Sequence, residues 1–282
     1  MINLPTMNPE VVSKEIQKFI LTTINKHKKS GVILGLSGGV DSSVVAVLCK
    51  RAIHGTSHMM AGYYIPHRVR RDEDRKYVNK LVDTFNLVYR TIPIDLICEN
   101  HIGLVEQCCG VLNNYQQGNL ISRVRANILS TLAEKEGTIL SGTGNRDEDY
   151  GVGYYTLFGD GAVHMNPIGG LSKRLVYQMA KYLKIPQEII YRTPTAGLEP
   201  DQTDYDDLGY LYTTVEIIME AMDQEISVVE TIQTLENKQI IFDSKKFQNV
   251  GDVIGDVISR NLNAKSKAQI IHPPIPIVTL NY

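Results

Sequence analysis

The sequence predicts an α/β protein: a doubly wound parallel sheet flanked by helices, followed by a helical C-terminal part. Three observations predict it. Short apolar runs alternate with helix-length amphipathic segments between the first strand and residue 142. Two of those runs, 31–36 and 137–142, end in glycine-rich polar loops. Residues 208–262 then read as mostly helical. Strands separated by helical segments pair in parallel, and the crossovers cover both faces of the sheet.

The elements follow in order. Over 9–29, Val11, Val12, Ile16, Phe19, Ile20, Thr23 and Ile24 recur at helical spacing and define one face. "GVILGL" (31–36) is a buried strand and 42–53 a helix. "MMAGYYIP" (59–66) is the second strand, followed by a charged helix over 72–86. "VYRTIPID" (88–95) is the third strand. Helices over 96–114 and 119–136 lead to the fourth, "GTILSG" (137–142). Residues 151–170 form a long glycine-rich loop and 172–184 a helix. "RTPTAGLEPDQTDYDD" (192–207) is too polar and too long for a simple connector, and reads as a mobile functional lid. Prolines keep the tail "HPPIPIVTLNY" extended. The expectation is one domain over 1–282: an N-terminal helix at 9–29, an α/β core over about 30–190, the lid at 192–207 and a helical part over 208–282.

Composition narrows the function. With 282 residues and 43% apolar content the chain can bury a sizeable core. A net charge of −2 argues against a general nucleic-acid binder. No apolar run approaches a membrane span and no leader pattern opens the chain, so a cytoplasmic protein with no membrane partner is expected. Cys49, Cys98, Cys108 and Cys109 form no CxxC pair; reduced thiols are expected, and zinc is not.

The chemistry is concentrated at "SGGVDSS" (37–43), between the first strand and the next helix. A strand that turns sharply into a helix leaves backbone N–H groups unpaired and pointing one way. Glycines let an anion approach closely, the helix dipole favours it, and Ser37, Ser42 and Ser43 add donors. The result is a pyrophosphate cradle. Asp41 would repel phosphate unless a Mg²⁺ ion lies between them. There is no GxxxxGK[ST] pattern, so this is not the ordinary P-loop. In open α/β sheets ligands sit at the carboxyl ends of strands, so this loop and "SGTGNRDED" (141–149) should face one crevice.

The SGGxDS pattern resembles the signature of the ATP pyrophosphatase superfamily, whose fold is called adenine nucleotide alpha hydrolase-like. Four further stretches, "GNLISRVRANIL" (118–129), "GTGNRDE" (142–148), "YYTLFGDGAVHMNPIGGLSKRLVYQMAKYL" (154–183) and "PTAGLEPDQTDYDDLG" (194–209), narrow the resemblance to ammonia-dependent NAD⁺ synthetases over roughly residues 10–275. The resemblance implies a homodimeric ligase of NAD biosynthesis. It would take ATP as co-substrate, Mg²⁺, deamido-NAD⁺ and ammonia, and release NAD⁺, AMP and pyrophosphate through an adenylated carboxylate.

It also implies roles. Asp41, Lys173, Asp160 and Thr195 would be catalytic. ATP would be bound by Gly35, Leu36, Ser37, Gly38, Gly39, Val40, Asp41, Ser42, Thr143, Lys173 and Thr195. Deamido-NAD⁺ would be bound by Arg123, Asp160, His164 and Lys267, and the metal by Asp41 and Glu148. The segment between Thr143 and "GYYT" is one residue longer than the family pattern, so Asp149 competes with Glu148. Leu157, His164 and Ser266 stand where the family has Lys, Asp and His, all on the dinucleotide side. A different carboxylic acid as acceptor is the alternative; an RNA-modifying ATP pyrophosphatase is a more remote one.

Overall fold

A computed structural model describes residues 2–68, 71–195 and 203–282. Four strands, β1 (Gly31–Gly35), β2 (Met59–Tyr64), β3 (Tyr89–Thr91) and β4 (Ile139–Ser141), form a sheet of order β3-β2-β1-β4. Every pairing is parallel. Alternation along β1 divides the core. Val32 and Leu34 point to one face, with α1 (Pro9–Lys26), α2 (Val40–Ile53), α3 (Arg71–Phe85) and α6 (Lys173–Tyr182). Ile33 points to the other, with α4 (Asp95–Cys109) and α5 (Asn114–Glu136). The expected doubly wound sheet is therefore present.

Local chemistry sets the boundaries. The Asn8 side chain accepts from the N–H groups of Glu10 and Val11, and Pro9 takes the first helical position of α1. Val12, Ile16, Ile20 and Ile24 are buried as expected, whereas Val11 faces solvent. Helix α5 starts at Asn114, not 119, because Asn113 and Gln116 form a capping box upstream of the interior Gly118. The third strand is shorter than its apolar run, spanning only Tyr89–Thr91.

After β4, residues Arg146–Val152 form a π-helical segment where a plain loop was expected. Short helices α7 (Gln187–Ile190) and α8 (Asp204–Leu208) follow α6. Then come α9 (Tyr212–Asp223), α10 (Val228–Asn237) and α11 (Val250–Ile270), which enclose a second core around Val215, Leu235 and Val257. Glu216 and Glu220 of α9 are buried and tie this block to the sheet domain. Glu216 accepts from Arg174 (2.8 Å) and Ser172 (2.7 Å), and Glu220 pairs with Arg146. The tail is extended as expected, and Asn281 bridges antiparallel to Thr6. Of the expected lid, 196–202 lie outside the described residues; its end is not loop but helix α8, capped by Thr203.

Candidate active site

In the order β3-β2-β1-β4 the chain moves outward from β1 in two directions, which makes a crevice at the carboxyl ends of β1 and β4. A cavity of about 1150 Å³ opens there, lined by the loops after both strands and by β2's end.

The first loop enters α2 at Val40 with no side-chain cap, so its first-turn N–H groups have no capping partner. Ser37 and Ser42 face each other, Oγ to Oγ at 2.9 Å, and the Ser43 hydroxyl donates back to the Gly39 carbonyl (2.7 Å). Gly38 has φ +79°, and a Cβ there would press on Arg192, the Asp74 carbonyl and Tyr77. Glycine is required at this turn.

Asp41 projects from the first turn of α2 toward the second loop. Lys173, the first residue of α6, reaches back between them. Its Nζ lies 2.6 Å from Asp41 Oδ2 and 2.7 Å from Glu148 Oε1. Asn145 completes the connection: its Nδ2 donates to Asp41 Oδ1 (3.0 Å), while its Oδ1 accepts the Glu148 N–H (3.0 Å). Asp147, fully buried, accepts the Lys173 backbone N–H (2.8 Å). Three segments far apart in sequence thus hold one lysine between two carboxylates.

The segment between Thr143 and "GYYT" is wound as a π-helical turn, a form found often at functional sites. That turn sends Glu148 to Lys173 and Asp149 elsewhere. Asp149 Oδ2 accepts from Asn166 Nδ2 (2.9 Å) and lies against Gly144, where an added Cβ would come within 1.9 Å of it.

Burial governs the electrostatics. It raises Glu148 to about 7, against the opposing charge of Lys173. It raises Asp147 to about 8, against the Lys173 N–H bond. Asp149 is pushed well above the carboxylate range by burial, with Asp160 and Glu148 adding to it. For Lys173 burial acts against the charge, but Asp41 and Glu148 prevail and hold it well above the usual lysine value. Asp204, raised by burial, sits on the cavity wall with Oδ2 accepting from Tyr212 (2.9 Å).

Hard oxygen donors that converge on one cation suit Mg²⁺. Among the described residues no three His, Cys, Asp or Glu side chains form a cage. Asp41 and Glu148 alone offer such donors on either side of Lys173 Nζ, so an ion held there would need its remaining ligands from water and phosphate.

The structure brings most of the expected residues together. Gly35, Leu36, Ser37, Gly39, Val40, Asp41, Ser42, Thr143, Lys173 and Thr195 line the cavity; Gly38 stands behind the loop. Asp160 and Lys267 line its other half. Asp160 accepts from Ser122 and from the Thr156 N–H, each at 2.9 Å. Lys267 Nζ donates to the carbonyls of Gly153 and Tyr155, each at 2.7 Å, and lies over the Tyr155 ring.

Arg123 and His164 are not brought in. Arg123 is exposed and its Nε donates to the Leu157 carbonyl (3.3 Å). His164 sits beside β4, its Nδ1 accepting the Leu140 N–H (3.2 Å). Sequence reasoning missed Asn145, Asp147, Arg192 and Asp204, and chose Arg123 over Arg125, which does line the cavity. Arg192 pairs with Asp74, stacks over Tyr77 and braces the Ser37 loop.

Known proteins resemble this chain in sequence and fold. The profile of the family described as NAD synthase matches residues 12–254. The NH(3)-dependent NAD(+) synthetase of Methanocaldococcus jannaschii is 34% identical over 238 residues, 83% of this chain and 90% of that protein. The synthetase of the same name from Archaeoglobus fulgidus is 34% identical over 218 residues, 77% and 86% of the two chains. Among solved structures, the NMN synthetase of Francisella tularensis superposes with a TM-score of 0.71 at 27% identity, covering 83% of this chain and 95% of that one. The NH3-dependent NAD synthetase of Campylobacter jejuni superposes with a TM-score of 0.70 at 25% identity, covering 93% and 97%. With the family profile spanning most of its length and relatives of this identity covering over three quarters of it, the chain belongs to the NAD synthase family.

Proposed function

We propose that this protein is an ammonia-dependent NAD⁺ synthetase, a ligase that amidates deamido-NAD⁺ with ATP as co-substrate. The observation that carries the reading is Lys173, held between Asp41 and Glu148 at the crevice of β1 and β4.

The reaction has two displacements. The acceptor carboxylate attacks the α-phosphorus of ATP and pyrophosphate leaves. Ammonia then attacks the acyl carbon of the adenylate and AMP leaves. Both need alignment and charge neutralisation more than a strong acid or base. In this reading the N–H groups and hydroxyls of Ser37–Ser42 receive the departing pyrophosphate, and Thr143 holds ATP across the crevice. Lys173 moves its charge onto the phosphates, and Thr195 closes over them. Asp160 and Lys267 orient the acceptor. Asp41 and Glu148 would hold Mg²⁺, which when bound neutralises phosphate charge.

A homodimer fits the exposed apolar side chains of α4, the segment after it and the start of α5, among them Leu96, Leu104, Val111 and Tyr115. We also take residues 1–282 to act as one functional domain, since both halves of the cavity draw on the sheet loops and on α11.

A second reading keeps the ATP chemistry and shortens the acceptor to nicotinate mononucleotide, giving NMN. The similarity to the Francisella NMN synthetase favours it, as does the exclusion of Arg123 and His164 from the cavity. The test is turnover with ATP, Mg²⁺ and ammonium against each acceptor. Formation of NAD⁺, AMP and pyrophosphate at the higher kcat/KM supports the first reading. A preference for the mononucleotide supports the second. Turnover of neither rejects both.

A further inference from the structure

Helix α5 forms one wall of the cavity. Asn119, Ser122, Arg125 and Leu129 recur at helical spacing and all line it. Asn119 and Ser122 have protein partners there: Asn119 accepts from the Thr156 hydroxyl (2.8 Å) and Ser122 donates to Asp160 (2.9 Å). Arg125 differs. Among the described residues its guanidinium makes a single hydrogen bond, from Nε to the Ile65 carbonyl (3.0 Å), and no ion pair. The other two arginines that line the cavity, Arg192 and Arg260, are each paired with a carboxylate. Burial pulls the Arg125 guanidinium below its usual pKa, with Asp74 and Asp160 too distant to form a bridge yet close enough to oppose the shift.

Arg125 is part-buried, and its guanidinium N–H groups without a protein partner open onto the cavity rather than being sealed in the protein. A planar fork of N–H groups is matched by a carboxylate or a phosphate. Arg125 stands on the same helix face as Ser122, one turn from the side chain that holds Asp160, and so on the acceptor's half of the cavity.

We propose that Arg125 is the anion receptor for the acceptor substrate, taking its carboxylate or its phosphate through the free end of the guanidinium. This rests on the functional reading above, and it holds for either nicotinate acceptor, since both carry the two anionic groups.

The test uses the full chain with Arg125→Met, and Arg125→Lys, which keeps the charge without the fork. Initial rates give KM for ATP and for the acceptor; calorimetry gives Kd for the acid acceptor and for its amide product. Arg125→Met is expected to raise acceptor KM about 10- to 100-fold, as loss of a charge-assisted hydrogen-bond pair does, with ATP KM within about threefold. Arg125→Lys should fall between, and it carries the test if Arg125→Met does not fold. Weaker binding of the acid alone assigns the carboxylate; equal weakening of acid and amide assigns the phosphate. An acceptor KM within about threefold of wild type in both variants overturns the proposal, as does a rise confined to ATP. A wild-type enzyme that amidates neither acceptor overturns the functional reading and this assignment together. Normal wild-type turnover with unaffected variants overturns the Arg125 assignment alone.

Discussion

The buried carboxylate of Asp147 accepts the backbone N–H of Lys173 at 2.8 Å, joining the π-helical segment that carries Glu148 to the first turn of α6. The bond fixes where the lysine side chain starts, and hence whether its Nζ can span two carboxylates. Asp147 is a positioning residue. Asp147→Asn keeps an acceptor oxygen and should retain kcat within about threefold, whereas Asp147→Leu should lower kcat by about tenfold or more with a smaller change in ATP KM. Steady-state kinetics of the two variants decides it. Equal kcat in both would show that the contact positions nothing.

Removing the shared cation has two consequences of different kind. Lys173→Met should reduce pyrophosphate release by about 100-fold, because a preorganised charge in the site is lost. It also leaves Asp41 and Glu148 facing each other, partly buried. Breaking a buried pair from one side costs on the order of 3 kcal/mol. Thermal melts should therefore fall for Lys173→Met, and the double variant Lys173→Met, Glu148→Gln should recover part of that stability without recovering activity.

Gly144 lies under the carboxylate of Asp149, and an added Cβ would sit 1.9 Å from Oδ2. Gly144→Ala must displace Asp149 and its bond to Asn166. The expected cost is about 1–3 kcal/mol in chemical denaturation, the usual range for a clash that also unpairs a buried polar group. A midpoint equal to wild type would mean that Asp149 moves aside freely.

His164 gives a pH dependence away from Asp41 and Glu148. Its pKa is lowered by burial and by the nearby Lys29 and His27, and its Nδ1 accepts the Leu140 N–H. The folded state favours the neutral ring, so this contribution is complete above the ordinary histidine pKa and is lost as pH falls through the lowered one. Denaturation midpoints measured from about pH 7 down to about pH 5 should decline more steeply in wild type than in His164→Asn. Parallel slopes would contradict this.

Much of the site was legible because its chemistry lies in contiguous loops. Asp41 follows β1 and Glu148 follows β4, and the parallel alternation of strands and helices already places those two loops side by side. Other residues could not be read. Asn145 and Asp147 act through partners 104 and 26 residues away, which no local pattern reveals. Arg123 and Arg125 are two positions apart on α5, so they point to nearly opposite sides of the helix. Composition does not say which side meets the cavity; the stripe Asn119, Ser122, Leu129 does, and only the fold shows that this stripe is the wall. The late-starting prediction for α5 and the outward Val11 have similar origins. Gly118, a residue type unfavourable in helix interiors, is buried inside α5, and Val11 lies at the edge of the apolar stripe of α1 and faces solvent.

The central claim is that this crevice activates a carboxylate by adenylation and expels pyrophosphate from the Ser37–Ser42 loop. Positional isotope transfer tests it most directly. Deamido-NAD⁺ labelled with ¹⁸O in the nicotinate carboxylate is turned over with ATP and ammonium, and the AMP is weighed by mass spectrometry. The account predicts one ¹⁸O in the AMP phosphate for each amide formed, with the pyrophosphate unlabelled. Label remaining in water or in inorganic phosphate, or ADP in place of AMP, would contradict it.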